Sequence, residues 1–524
     1  MRRVTIALIA AVLACVPSGS AVGASDPNFP ARDSLYHNYP ELVSHIQSVA
    51  AAHPDIVRLF SIGTSYQGRT LWAAEVTRNP GTNQPKPEVL FDGLHHAVEY
   101  LGSEMTLDLL DLLTAHYGQT DAMGQRVTAI VNTRRIWIVF MLNPDGFEYT
   151  LGGHPYRWWR KNRQPNPGST AIGTDLNRNY SYRWSCCGSG STSNPGADDY
   201  PGPHPFSAPE TIAMRDFILS RVINGRQQIT ESVTFHTPGH LVLWPYGYTS
   251  KAVPKDMTSL DQQVLSTLGK QMAARNGYEP LQWGAGRRTS GSAIDWQYGT
   301  QRIFTFLIEM GDPGHVPDEQ IAPEVNRNHD ALLYLMEQAD CPYRVVGKAH
   351  QYCGPYFDDF EINRGWRVNP AATDTATDGT WQRGVVKADS LQLAGAVSGQ
   401  GALVTGRLAG HDVDGGTTTA RSPLFHLPTS ASSLHLNYWV GLGAGATSAD
   451  GFRVQLVNAT GTPLATLLTV SGDGTNHAPA WRVLNSTIPA GSLGQDVAIQ
   501  VQATDANGDA TVEAGIDDVR VTTP

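Results

Sequence analysis

The chain has 524 residues and a formal net charge of −10, from 48 acidic and 38 basic residues. This length exceeds that of an ordinary single domain and predicts two or three domains. Lys and Arg are not concentrated into a basic face, so the composition argues against a nucleic-acid partner.

The N-terminal segment is predicted to be a secretory signal peptide over residues 1–24. Two arginines precede a short apolar stretch, and the small residues 21–24 offer a cleavage site. Cys15 is an alternative lipid-anchor site, which the unsuitable Leu13 two positions earlier argues against. The apolar stretch is too short to span a bilayer, and no other stretch is long and apolar enough. We therefore expect a secreted, extracellular protein without a transmembrane segment.

Four apolar runs in the following 300 residues predict buried strands. The runs end at Phe91, Leu142, Phe235 and Ile308. They do not alternate with polar residues, which is typical of parallel strands covered on both faces. Apolar residues at helical spacing between Leu101 and Leu113 predict a core helix after the first run. Residues that directly follow parallel strands gather at one edge of a sheet, where active sites lie.

Three residues near the ends of these runs are of the types that bind zinc. His96 and Glu99 follow the first run, and His236 follows the third. Zinc is commonly held by His nitrogen and carboxylate oxygen, and a catalytic zinc has three protein ligands and one open position. The His-x-x-Glu pattern alone also occurs by chance on exposed helix faces. The alternative histidines are His95, His116, His240 and His315.

Further motifs accompany these residues in a fixed order. They lie at residues 143–147, 157–163, 175–179, 245–248, 294–296 and 304–310. In this order the set closely resembles the secreted zinc carboxypeptidases of the pancreatic carboxypeptidase A and bacterial carboxypeptidase T type. The resemblance covers residues 33–340. It implies an α/β fold, in which a mixed, largely parallel sheet is flanked by helices, and one zinc ion per chain.

The resemblance also implies catalytic roles. His96, Glu99 and His236 match the zinc ligands of the family. Glu309 ends a buried strand, where a carboxylate is unfavourable without a charged partner or a function. It matches the general base, which takes a proton from the attacking water and later protonates the leaving amine. Arg160 matches the arginine that stabilises the tetrahedral oxyanion.

Other matched residues concern the substrate's C-terminus. Asn177 and Arg178 match the clamp on the terminal carboxylate, which a planar guanidinium binds bidentately. Arg157 matches a more peripheral arginine. Ile294 occupies the position that often sets side-chain preference, and an apolar residue there favours apolar C-terminal residues.

Two positions depart from the family pattern. A tyrosine on a mobile loop caps the substrate's end in the family, but Arg287 stands at that position, and residues 283–289 contain no Tyr. The arginine that often precedes the ligand glutamate is replaced by Val98. Arg287 is expected to pair with the terminal carboxylate or with an acidic side chain beside it. A solvated Arg287 is the alternative.

Four cysteines remain after removal of the signal segment, and an even count in an exported chain favours disulfides. Cys341 and Cys353 lie close together and flank a predicted domain junction, so we expect them to be paired. Cys186 and Cys187 are adjacent in sequence. They either bridge each other, remain free, or fall outside the disulfide pattern.

The composition changes near Gly354, beyond which short alternating runs are separated by turn residues. This pattern predicts an antiparallel β-sandwich. It resembles the jelly-roll domains that follow many secreted bacterial peptidases. We therefore expect a catalytic domain over residues 25–345 and an all-β jelly-roll accessory domain over residues 346–524. No family-sized inhibitory pro-domain is expected before the catalytic domain.

The predicted function is that of a secreted, monomeric zinc metallocarboxypeptidase acting on the C-termini of peptides and proteins. A surface or a polymer is the candidate ligand of the accessory domain. One alternative is a peptidase for unusual peptides such as those of cell walls, suggested by the altered loop around Arg287. Another is a catalytically weak binding protein that anchors through its β-sandwich.

Overall fold

The computed structural model describes residues 33–82, 86–152, 157–187, 192–223, 225–312, 316–430, 432–506 and 510–523. The predicted signal segment over residues 1–24, Cys15 and His315 lie outside the described residues. Within the described part, no helix is both long and apolar enough to cross a membrane.

The first part of the chain is built on one mixed sheet of eight strands. The described strands of this part are β1 (Val57–Thr64), β2 (Thr70–Val76), β3 (Glu88–Gly93), β4 (Arg135–Val139), β5 (Val222–Ile223), β6 (Arg226–Gln227), β7 (Ile229–His236), β8 (Leu241–Trp244), β9 (Glu279–Gln282) and β10 (Phe304–Glu309). The order in the sheet is β1-β2-β4-β3-β7-β10-β8-β9, and β5 pairs with β6 separately. The central strands β4, β3, β7 and β10 are mutually parallel, while β1, β2 and β8 pair antiparallel with neighbours. The predicted α/β fold with a largely parallel sheet centre is thus confirmed.

Helices cover both faces of this sheet. They are α1 (Tyr39–Ala52), α2 (Leu101–His116), α3 (Ala122–Thr133), α4 (Pro144–Leu151), α5 (Pro209–Ser220), α6 (Ser259–Asn276), α7 (Trp283–Gly286), α8 (Ala293–Gln301), α9 (Ile321–Gln338) and α10 (Ala349–Tyr352). Successive residues of a strand point to opposite faces. Accordingly, Phe91 of β3 packs in one apolar cluster with the leucines of α2, and Leu90 packs in another with Phe217 of α5. This explains the unbroken apolar runs and confirms α2 as a core helix.

The second part of the chain consists of two antiparallel sheets. Its described strands are β11 (Tyr356–Asp358), β12 (Arg367–Val368), β13 (Trp381–Gly384), β14 (Ala402–Thr405), β15 (Gly416–Arg421), β16 (Phe425–His426), β17 (Ser433–Leu442), β18 (Gly451–Asn458), β19 (Pro463–Ser471), β20 (Arg482–Thr487), β21 (Asp496–Asp505) and β22 (Val512–Thr522). One sheet has the order β13-β14-β22-β17-β20 with β11 beside β22, and the other has β12-β15-β21-β18-β19 with β16 beside β21. Apolar residues of both sheets share one core cluster. The all-β character is as predicted, and the jelly-roll assignment and the boundary at residues 345 and 346 stay predictions.

The two parts meet at a seam that contains buried charges. Arg302, just before β10, places its guanidinium 3.6 Å from the Glu361 carboxylate, and both side chains are almost fully buried. The expected Cys341–Cys353 disulfide is present at the junction, and Cys186 and Cys187 are bonded to each other. The six residues of β10 span roughly 20 Å between the seam and the end of the strand that carries Glu309. The sandwich is therefore attached at the opposite end of the strands from Glu309.

Candidate functional site

The three predicted zinc ligands converge at the carboxyl edge of the central strands. His96 and Glu99 lie in the turn between β3 and α2, and His236 is the last residue of β7. Glu99 Oε1 is 2.7 Å from His96 Nδ1, and Glu99 Oε2 is 2.7 Å from His236 Nδ1. The two Nδ1 atoms are 3.0 Å apart, and all three side chains are buried.

This arrangement fits a metal ion. Within the described residues, His96, Glu99 and His236 form the group whose His, Cys or carboxylate ligand atoms lie within 4.8 Å of one another. Burial lowers the pKa of His236 to about 4, which favours the neutral imidazole that a metal ion requires. Two imidazole nitrogens and one carboxylate are the donor set of a catalytic zinc site with a position left open.

The opposite nitrogens of both imidazoles have side-chain neighbours. His96 Nε2 lies 3.2 Å from Asp175 Oδ1. His236 Nε2 lies 3.3 Å from the Asn177 amide, whose oxygen accepts a hydrogen bond from the Ala293 N–H. A carboxylate on the second nitrogen of a metal-binding histidine fixes its tautomer and ring orientation. His96 is therefore oriented to present Nδ1 to the metal position.

Asp175 connects His96 to Arg160. Its Oδ2 accepts a hydrogen bond of 2.9 Å from Arg160 Nε, while Oδ1 faces His96. Burial opposes the charged form, but Arg160 and Arg178 outweigh it and hold the pKa of Asp175 well below its usual range. The sequence prediction assigned no role to Asp175. Asp175 is the first residue of the motif over residues 175–179, and this position is the sequence feature that could have indicated a role in the site.

The segment that carries Arg160 is fixed by α4. Asn143 caps this helix by accepting a hydrogen bond from the Gly146 N–H, and its amide donates to the Arg160 carbonyl at 3.4 Å. The Ala97 N–H donates to the same carbonyl at 3.0 Å, which ties Arg160 to the turn of the metal ligands. A Cβ on Gly146 would lie 2.5 Å from the Lys161 carbonyl oxygen, so glycine is required for this close packing.

Arg178 lies in a short 3-10 turn, Leu176–Arg178, and is 4% exposed. Its Nη1 donates to the Asn177 carbonyl at 2.8 Å. Burial, with repulsion from Arg160 and Arg287, lowers the pKa of Arg178 to about 10 despite the attraction of Asp175. Gly291 has φ +66° and approaches the Arg178 carbonyl so closely that a Cβ would lie 2.3 Å from its oxygen.

Glu309 lies beside the metal ligands at the end of β10. It stands opposite His236 in the parallel register of β10 and β7. Its Oε2 is buried and has no hydrogen-bond partner within the described part of the chain. Burial and the charge of Glu99 raise the pKa of Glu309 well above its usual range, against the opposing effect of Arg160 and Arg178. An unpartnered, buried carboxyl group of this kind is typical of a catalytic acid or base.

These groups open onto one cavity of about 350 Å³. Its lining residues are His96, Glu99, Arg160, Asn177, Arg178, His236, Thr237, Pro238, Leu241, Leu243, Leu281, Trp283, Gly286, Arg287, Thr289, Leu307 and Glu309. One wall is apolar, because four leucines and Trp283 contribute to it. The cavity thus combines the candidate metal ligands, a further carboxyl group, three guanidinium groups and an apolar wall.

Two predicted substrate residues lie outside this lining. Arg157 packs its guanidinium over the Tyr149 ring and donates to the Tyr149 carbonyl at 3.0 Å. Ile294 is fully buried in a cluster with Leu243 and Leu307, both of which line the cavity. Their roles in substrate binding stay predictions, and any effect of Ile294 on the cavity acts through these leucines.

The alternative histidines in the described part take other positions. His95 is fully buried, with Nε2 3.0 Å from the Tyr180 hydroxyl and Nδ1 3.1 Å from Asp92. His116 ends α2, and His240 lies 3.3 Å from the Glu324 carboxylate. These contacts give His95 and His240 structural partners apart from the His96, Glu99 and His236 group.

The chain is similar to known zinc carboxypeptidases. The profile of the zinc carboxypeptidase family matches residues 42–331, more than half of the chain. A zinc carboxypeptidase of Saccharothrix mutabilis subsp. capreolus is 39% identical over 340 residues, covering 62% of this chain and 74% of the relative. Carboxypeptidase A1 of Sus scrofa is 31% identical over 312 residues, covering 58% and 70%. The structure of thrombin activatable fibrinolysis inhibitor has a similar fold, with a TM-score of 0.52 and 24% identity over 60% of this chain and 77% of that one.

Proposed function

Because the chain belongs to the zinc carboxypeptidase family, we propose that it removes C-terminal residues from peptides and proteins at one zinc ion held by His96, Glu99 and His236. The observation that carries this proposal is the convergence of two imidazole Nδ1 atoms on the Glu99 carboxylate, each at 2.7 Å. Glu309 and Arg178 line the same cavity, and so supply a base and a carboxylate anchor beside the metal position.

Glu309 is the proposed general base. Zinc, when bound, would polarise the scissile carbonyl and lower the pKa of the attacking water. Glu309 takes a proton from that water as it attacks, and then delivers a proton to the leaving amine. Its raised pKa suits both steps, since a carboxyl group with a higher pKa is a stronger base and holds the proton until the amine needs it.

Arg160 is the proposed oxyanion donor. Its guanidinium lines the cavity, and its Nε is occupied by Asp175, so the remaining N–H groups are oriented by a buried carboxylate. A preorganised donor of this kind is typically worth about 3 kcal/mol of transition-state stabilisation. Because Asp175 also faces His96, the metal ligand and the oxyanion donor share one rigid support.

Asn177 and Arg178 are the proposed anchor for the terminal carboxylate. Both are buried, and both line the cavity. A fixed guanidinium binds a carboxylate bidentately, which places the last peptide bond at the metal and makes the enzyme an exopeptidase. The leucine wall favours an apolar terminal side chain.

We also propose that the protein is a secreted monomer, with a signal peptide over residues 1–24, a catalytic domain over 25–345 and a jelly-roll domain over 346–524. The two arginines and the apolar stretch near the N-terminus support secretion. The two disulfides are consistent with an oxidising compartment.

Hydrolysis of defined peptides tests the proposal. Zinc-loaded protein is incubated with N-blocked dipeptides and a longer peptide, each with a free or an amidated C-terminus, and products are identified by mass spectrometry. We expect stepwise loss of C-terminal residues from free termini alone, and none from the His96→Ala variant. His116→Ala, which changes a histidine at a helix end, is the matched control and should remain active.

Two results would decide against this function. Internal cleavage of the longer peptide would indicate an endopeptidase. Turnover restricted to a stem peptide ending in D-alanine would favour the cell-wall alternative.

A further inference from the structure

Arg178 and Arg287 bring two guanidinium groups to one cavity. Both residues line it, Arg178 from a buried position and Arg287 from an exposed one. Repulsion from Arg287 adds to the effect of burial in lowering the pKa of Arg178. Two guanidinium groups therefore line the cavity in addition to Arg160.

The backbone around Arg287 is tied to the cavity wall. The Arg287 N–H donates to the Trp283 carbonyl at 3.1 Å, and the Thr289 N–H donates to the Gly247 carbonyl at 2.8 Å. The ring of Trp283 lies 6.0 Å from the Arg178 guanidinium. Arg287 thus lies on a segment that is hydrogen-bonded on both sides, and it lines the same cavity as Arg178.

The acidic residues that line the cavity have other tasks. Glu99 is bound between His96 and His236, and Glu309 is the proposed base. Two like charges that face one cavity repel each other, and an anion placed between them relieves that repulsion. The anion that every substrate of a carboxypeptidase brings is the α-carboxylate of its last residue.

We propose that Arg287 is a second carboxylate-binding residue, which forms with Arg178 a two-guanidinium anchor for the α-carboxylate of the substrate's terminal residue. This inference rests on the proposed carboxypeptidase function. A guanidinium remains charged at all working pH values and binds carboxylate in a fork, so the anchor is stronger than a neutral hydroxyl and more sensitive to salt. The loop around Arg287 then selects for a free C-terminus rather than for a particular side chain.

Steady-state kinetics of Arg287→Gln provide the first test, with Arg288→Gln as the matched control for an exposed neighbour outside the cavity lining. Zinc-loaded protein is assayed on blocked dipeptides ending in Phe, Gln or Glu. We expect Arg287→Gln to raise KM about 10- to 100-fold for all three substrates, with kcat within a factor of two. The rise of KM with salt should be smaller in this variant than in the wild type. Arg288→Gln should behave like the wild type.

Calorimetry with 3-phenylpropionate and its amide gives a readout that needs no turnover. The zinc-loaded wild type should bind the acid, and Arg287→Gln should bind it at least tenfold more weakly, whereas the amide should not distinguish the two proteins. Unchanged KM and Kd in Arg287→Gln would overturn the proposal. A loss confined to the Glu-ending peptide would also overturn it, in favour of a contact with the side chain. If the wild type binds the acid but hydrolyses no peptide, the proposed function fails while the anchor stands.

Discussion

Glu309 and His236 stand opposite each other in register as the last residues of the neighbouring parallel strands β10 and β7. The Met310 N–H donates to the His236 carbonyl at 2.8 Å, so the ladder continues just past both side chains. The geometry of a parallel sheet thus sets the spacing between the proposed base and one proposed metal ligand. These two residues therefore lie side by side without the ordering of any loop.

The Glu309→Gln variant should keep its zinc and lose most of its turnover. The amide is nearly isosteric with the carboxyl group but cannot take up a proton. We expect kcat to fall by about 10² to 10⁴, the usual contribution of a general acid–base residue. Zinc content and kcat should be measured on the same preparation, with the exposed Glu279→Gln as control. A variant with a third or more of wild-type turnover would exclude Glu309 as the base.

The Asp175→Asn variant should weaken both zinc binding and catalysis. The substitution preserves shape but removes the charge that orients His96 and holds Arg160. We expect a 10- to 100-fold loss of zinc affinity, as for other carboxylates that support a metal-binding histidine, together with a lower kcat. A zinc-competition titration with a chelator of known affinity measures the first effect. The exposed Asp198→Asn serves as control, and unchanged affinity and kcat in Asp175→Asn would show that Asp175 does not position either group.

Much of the fold and of the candidate metal site was predictable because the determining signals are local. Unbroken apolar runs reveal parallel strands that are covered on both faces, and the residues after them are predicted to meet at one edge. His96, Glu99 and His236 follow such runs, so their convergence was expected before the structure. The same reasoning placed Glu309 beside them.

The remaining contacts depend on long-range geometry that the sequence does not display. Asp175 contacts His96, which is distant in sequence, and Arg160, which lies in another loop. Ile294 faces the back of the leucine wall, because α8 turns its side chain toward Leu243 and Leu307. The ion pair of Arg302 and Glu361 joins the two parts of the chain. The way in which these parts pack together could not be predicted from the sequence of either part alone.

The Glu231→Gln variant should reveal a pH-dependent instability of the wild type. Glu231 is fully buried, and both carboxyl oxygens are without a hydrogen-bond partner in the described part of the chain. Burial raises its pKa well above 4.5. The folded state therefore favours the protonated acid, and the associated stability is fully present below pH 4.5 and is lost as pH rises toward the folded-state pKa.

The difference in melting temperature between Glu231→Gln and the wild type should therefore grow in favour of the variant from pH 5 to pH 8. Each unit of pKa shift corresponds to about 1.4 kcal/mol of unfolding free energy at high pH. Glu319→Gln, at an exposed position, should show no such trend. A difference that stays constant across this pH range would refute the assignment of a raised pKa to Glu231.

Removal of the β-sandwich should leave peptide hydrolysis largely intact but lower stability. The cavity residues all precede residue 310, whereas the seam would lose the Glu361 partner of the buried Arg302. Two truncated chains separate the contributions: one ends at Val346 and lacks the Cys341–Cys353 disulfide, and the other ends at Gly354 and retains it. We expect both to have kcat/KM close to that of the full chain and to melt at lower temperature, the shorter one lowest. A folded but inactive truncated chain would show that the sandwich contributes to catalysis.

The most direct test of the account is the zinc content of the purified protein, measured by mass spectrometry of the metal together with hydrolysis of a blocked dipeptide. We predict one zinc per chain, loss of both zinc and hydrolysis on dialysis against a chelator, and recovery of hydrolysis in proportion to zinc added back up to one equivalent. The His96→Ala and His236→Ala variants should show neither zinc nor recovery. Hydrolysis that persists unchanged after complete removal of zinc, or failure to bind zinc after supplementation, would contradict it.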